Sequence, residues 1–333
     1  MSSAWGVVGT SAAVAFDDDA SAVFATYCNY LQHLAILLRE LYGENPAGRV
    51  LEETLGLPAV VKVKRKRLAQ ADLGRLENHL RIAWLREGRI HTLSSQWDCQ
   101  PELLPGTPTD AYYAVYHGAQ AFKTANAAPL MRDHAKLLHS LGNDADTRRL
   151  FPPPWSVTCR GFPKDDCAEY RGLPQGLLPA VCQNFVRPTE ETAWPSLCLL
   201  LRTTRERELT KAKDDWKRKE KKQRASGVRA AKLAEALAPT SLFDFFWRLR
   251  VRTDYRDVDA FLLGVASASQ AELFLDSLMT VLNCTLVVFE ALVIAEGQES
   301  MLQTGAAKFA GAVGPGFCAT LKARPWFTGE LRS

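Results

Sequence analysis

Apolar residues return every three to four positions along most of the chain, the period of helices that bury one face. Over residues 17–42 the series Val23, Phe24, Tyr27, Tyr30, Leu31, Leu34, Leu37, Leu38 and Leu41 predicts one long helix. The acidic run at its front suits the positive end of a helix dipole, and Gly43 supplies a stop. A short irregular stretch with Pro46 and Pro58 follows. A second helix is expected over 65–87, burying Leu68, Leu73, Leu76, Leu80, Ala83 and Trp84. The link 94–108 holds three prolines and breaks the pattern. Thr109 and Asp110 then cap a third helix running to Phe122, and Pro129 opens a fourth that ends near Gly142.

Residues 151–195 differ, because eight of the seventeen prolines lie there and oppose both long helices and strand ladders. Residues 197–237 read as one helix with a break at Ser226–Gly227, and 241–297 as a last helical block with a turn at 264–269. The second part of that block places Leu273, Phe274, Leu278, Val281, Leu282, Leu286, Phe289, Leu292 and Val293 at helical spacing. Five glycines after Gly297 suggest a loosely packed end. No strand pair or internal repeat is evident. The expectation is an all-α bundle: 1–142 its first half, 143–240 an insertion of proline-rich loop plus basic helix, 241–297 its closing helices, and 298–333 a flexible tail.

Composition (47% hydrophobic, 23% charged) is that of a globular protein. The net charge of +4 conceals an asymmetry: between Arg202 and Lys232 thirteen basic residues face five acidic ones, a local +8, while the rest carries −4. The first sixteen residues lack the basic and apolar regions of a signal peptide. The longest apolar stretch, 281–295, contains Asn283 and Glu290 and is short of a bilayer span, so no membrane contact is expected. Eight cysteines show no CxxC or Cys/His spacing suited to zinc and read as thiols of a reducing cytoplasm. No cofactor, metal site or ATP loop is predicted.

Two separated segments then carry a resemblance. AYYAVYHGAQAF (111–122) is followed by RDHAKLLHSL (132–141), and RLRVRTDYRDVDAF (248–261) lies far downstream. Together they resemble HEPN domains of prokaryotes, with a tyrosine pair and histidine in one helix and an arginine four residues before an Asp-Tyr pair in another. The matching residues here are Tyr113, His117, Arg250, Asp254 and Tyr255. The resemblance implies a compact helical bundle, usually a homodimer. Many members are metal-independent ribonucleases of toxin–antitoxin or antiviral defence systems; others are inactive partners of a small nucleotidyltransferase. Active members place an arginine four to six residues before a histidine near the end of the bundle, and this chain has no histidine after Arg250.

Metal-free RNA cleavage needs a base for the ribose 2′-OH, an acid for the leaving oxygen and a cation for the phosphoryl charge. Histidine and arginine supply these near neutral pH. Arg86/His91 and Arg132/His139 have formally suitable spacings, and seven residues on one helix would put Arg132 and His139 on one face. Arg132, His139 and His117 are thus the candidate catalytic residues, each also readable as structural. Tyr113, His117, Arg250, Asp254 and Tyr255 are expected to line one groove for a phosphate-bearing ligand. The run containing Lys217, Arg218, Lys219, Lys221, Lys222 and Arg224 would bind RNA or another polyanion by counterion release, with Trp216 available to stack on a base. Three functions remain open at this level: an endoribonuclease, a non-catalytic nucleic-acid or nucleotide module, and a protein-interaction module.

Overall fold

The computed structural model describes residues 19–62, 68–95, 101–164, 168–175, 188–221, 227–256, 261, 268–314 and 316–327. The architecture is predominantly helical, as the periodicity implies. Helix α1 (Asp19–Tyr42) ends where Gly43 takes a φ of +81°, its N–H bonding the Arg39 carbonyl at 2.7 Å. The stretch expected to be irregular is instead helical, as α2 (Pro46–Gly56) and α3 (Pro58–Val61). Both prolines stand in a first turn, where a missing N–H costs no ladder bond. Helix α4 (Gln70–Ser95) precedes α5 (Thr107–Ala125), which starts two residues earlier than its expected cap. Helix α6 (His134–Asn143) is capped by Asp133, whose carboxylate accepts from the N–H groups of Ala135 and Lys136.

The region 143–240 departs furthest from expectation. Three short strands occur, β1 (Thr158–Gly161), β2 (Ala168–Arg171) and β3 (Thr240–Ser241), in an antiparallel sheet of order β2-β1-β3 with Thr158 opposite Arg171 and Ser241. Helix α7 (Glu190–Glu220) opens on a Thr189/Thr192 capping box and carries Pro195 within it, so the proline-rich segment ends inside a helix rather than before one. Leu197, Leu200 and Leu201 are buried at that end, and α7 packs against α1. Arg205 is buried too, donating to the carbonyls of Gly161, Ala234 and Ala238 and tying α7 to the sheet and to α8 (Gly227–Ala236). Trp155 donates to Thr285 Oγ1 at 3.0 Å in the central helix. Trp155, Leu197, Leu200, Leu201 and Arg205, all within the segment expected as an insertion, are therefore buried in the fold.

Helix α9 (Leu242–Val251) runs into a π-type turn, Arg252–Arg256. Helix α10 (Ala268–Ala295) is central and packs against α1, α2, α4 and α5. By length and composition it could cross a bilayer, yet 78% of its most apolar window is buried inside the fold.

Within the segment expected as a flexible tail, the described residues form helices α11 (Glu299–Ala312) and α12 (Ala319–Lys322), lying on α4 and α10. A charge network holds this segment in place. Arg324, 1% exposed, reaches Glu87 and Glu290, each at 2.9 Å. Glu290 also accepts from the indoles of Trp84 (2.9 Å) and Trp326 (2.8 Å). The closing segment also approaches Gly88 on α4 so closely that an added Cβ would stand 2.5 Å from the Phe317 carbonyl oxygen. Gly88→Ala should therefore lower stability by about 1–3 kcal/mol, since backbone rather than a pliable side chain must yield. Urea denaturation of the variant checks this; an unchanged midpoint would mean the segment sits less tightly.

Candidate functional site: an aromatic, histidine and arginine cluster

Helices α4 and α5 run antiparallel, so that His79 meets His117 while Arg86, seven residues on, meets Asp110, seven residues back. By helical spacing, Arg75, His79, Arg86 and Arg89 fall on one face of α4. Arg86 donates to Asp110 Oδ1 at 2.5 Å and lies over the Tyr113 ring at 5.6 Å. Arg89, its side chain 54% exposed, reaches the same oxygen only at 3.4 Å. Two guanidinium groups thus share one carboxylate oxygen, leaving an excess of positive charge at the surface.

Helix α9 closes the cluster. The Arg250 guanidinium, its side chain 11% exposed, lies over Tyr112 (5.5 Å), Tyr113 (5.1 Å) and Trp247 (5.1 Å). Its Nε donates to Asp254 Oδ2 at 3.0 Å, four residues on, and Thr109 donates to the other Asp254 oxygen at 2.5 Å. Thr109 therefore anchors the turn after α9 rather than capping α5. Tyr113, Arg250 and Asp254, read together from the sequence, do come together, and His117 meets His79 and, edge to face, the ring of its chain neighbour Tyr116 at 5.3 Å. Tyr255 lies within the π-type turn, and its side chain is outside the described residues.

Among the groups not legible as site residues are His79, His134 and Trp247. His134, the first residue of α6, stacks on Trp247 (5.4 Å, 23° between planes), and its Nδ1 lies 2.5 Å from the Tyr112 hydroxyl. Trp247 falls on the helical face of Arg250 by i,i+3 spacing, the one sequence signal that could have flagged it.

The field around these rings is cationic. Burial first, then His79, Arg86 and His134, lower the His117 pKa to about 4. Burial and Arg75 lower that of His79, and burial and Arg250 lower that of His134, against a small opposing pull from Asp133. All three imidazoles are therefore neutral at pH 7. For His117 the folded-state pKa lies below the unfolded one, near 6.5, so stability is full above that value and declines as pH falls toward 4. His117→Gln should flatten this acid limb, seen as a smaller loss of urea midpoint between pH 6.5 and 4.5 than in the parent; parallel curves would count against it.

The other candidates lie elsewhere. Arg132 precedes α6 and is exposed, as is His139, so the two do not share the helix face their spacing supposed. Arg86 and His91 are five residues apart in α4 and point to different sides. Lys217, Arg218 and Lys219 occupy the outer end of α7, beyond the last buried residue, Leu209, and Lys221 is its C-cap. Lys217 and Arg218 pair with Asp214 and Asp215, while Lys213 lies over Phe162 and Arg229 over Trp216. Lys222 and Arg224 lie outside the described residues. Among the described residues, no group of three or more His, Cys, Asp or Glu side chains is placed to hold a metal ion.

Comparison of the chain with models of known families, with curated proteins and with solved structures finds no match.

Proposed function

We propose that this chain is a cytoplasmic, HEPN-like, RNA-directed protein whose α4–α5–α6–α9 cluster cleaves single-stranded RNA without a metal. The observation that carries the reading is the company the histidines keep. Neutral imidazoles, able to take a proton from a ribose 2′-OH, stand among Arg86, Arg89 and Arg250, which favour a phosphate and the charge that grows on it. Half-buried Tyr113, Tyr116 and Trp247 add rings against which a base can stack. The exposed cations of α7 supply a backbone-binding arm. A homodimer, or a nucleotidyltransferase or other defence-system protein, is the partner that the resemblance suggests.

A second reading, a non-catalytic nucleic-acid module, is favoured by one specific fact: Arg250 is enclosed by three rings and a carboxylate, and no histidine follows it. One assay separates the two. In EDTA, the purified protein should convert a single-stranded oligoribonucleotide to fragments ending in a 2′,3′-cyclic phosphate, and His117→Ala should slow this by about 10²-fold or more. Salt-sensitive binding without turnover would select the second reading. Neither binding nor turnover would defeat both.

A further inference from the structure

His79 and His117 face each other through equivalent atoms: their Nδ1 atoms are 2.9 Å apart, with ring centroids at 5.2 Å. A hydrogen bond between two Nδ1 atoms requires a hydrogen on one and a lone pair on the other. When both rings are neutral, the rest follows. The ring donating from Nδ1 has a bare Nε2, and the ring accepting at Nδ1 carries its hydrogen on Nε2. One contact therefore produces a proton acceptor and a proton donor side by side, with no net charge.

The surroundings favour this neutral state over an imidazolium. Arg75 faces His79 from its own helix, and Arg86 and His134 face His117. The nearby carboxylates are engaged, Asp72 by Arg75 and Asp110 by Arg86 and Arg89.

We propose that His79 and His117 act as one role-exchanging acid–base pair in the cleavage described above, on which this inference rests. The bare Nε2 of the first ring takes the 2′-OH proton as O2′ bonds to phosphorus. The P–O5′ bond breaks, and the Nε2–H of the second ring protonates the departing O5′. The Nδ1 proton of the first ring crosses to Nδ1 of the second. Every proton is accounted for, both rings stay neutral, and the pair ends with its tautomers exchanged. A separate base and imidazolium acid would need one ring charged in this cationic field; the paired tautomers do not.

The test uses the full chain and an oligodeoxynucleotide bearing a single ribose, in EDTA, from pH 5 to 9. His79→Asn keeps a short amide group facing His117 but has no second nitrogen to act as acid or base, whereas His79→Phe keeps only the ring. Each of H79N, H79F and H117N should lower kcat/KM by about 10²-fold, and the H79N/H117N double variant should be no slower than the singles, as for residues acting as a unit. The parent's kcat/KM should stay level from about pH 6.5 to pH 9. Nitrogen NMR of the unmodified protein should show one ring protonated at Nδ1 and the other at Nε2, a readout that needs no variant to fold.

Full activity in H79N would overturn the proposal, making His79 a positioning residue or a bystander. So would losses that multiply in the double variant, an alkaline limb near pH 7, or two rings of like tautomer. Cleavage that survives loss of His79 defeats the pair alone. Absence of cleavage by the parent defeats the ribonuclease reading together with it.

Discussion

Arg324→Ala should lower the free energy of unfolding by about 3–5 kcal/mol, the range expected when one partner is removed from a buried ion pair. Arg324 holds two carboxylates that are themselves out of water, Glu87 and Glu290. Without the guanidinium, Glu290 keeps the two indole N–H donors, but Glu87 keeps only neutral partners, Asn283 at 3.3 Å and the Thr320 side chain. The deficit should also depend on pH. Burial pushes the Glu87 carboxyl upward, and Arg324 is the main influence opposing it. Deleting Arg324 raises the folded-state pKa of Glu87 further above its unfolded value. A carboxyl raised in this sense contributes its stability below the unfolded pKa, roughly 4.3, and loses it as pH rises through the folded value. The gap between parent and variant should thus be smallest near pH 4.5 and widen toward pH 8. Urea titrations across that range check it; a gap that narrows as pH rises would contradict the role given to the pair.

Arg250→Ala should have the largest effect on function. The substitution removes a cation lying over three rings, each contact worth roughly 0.5–2 kcal/mol, and takes from Asp254 the Nε donor that complements the Thr109 hydroxyl. A stability loss of about 2–4 kcal/mol is expected, together with a fall in kcat/KM for RNA of roughly 10²–10³-fold as a preorganised cation is lost. Arg250→Lys separates charge from shape. An ammonium restores the charge but neither stacks in plane on the tyrosines nor forks toward Asp254, so it should recover only part of each loss. Denaturation and single-turnover cleavage, measured on the same preparations, distinguish a scaffold from a participant. Stability lost with kcat/KM unchanged would leave Arg250 purely structural.

Most helices could be drawn from the chain alone, because a helix is specified locally: the three-to-four spacing from Val23 to Leu41 and from Phe274 to Val293 needs no partner to be recognised. The prolines misled where their position in the helix mattered more than their number, at Pro46, Pro58 and Pro195. The strands were too short and too poor in alternation to announce themselves.

The helical class and the basic run of α7 are written in the chain's own order of residues. Tertiary structure alone decided that α4 runs antiparallel to α5, and so that His79 touches His117 and Arg86 reaches Asp110. It alone brought Arg324 back to Glu87, more than two hundred residues away. The reason is physical. Period along a helix is written in its own residues, but the register between two helices is the outcome of how their side chains interdigitate, and no single segment contains that information.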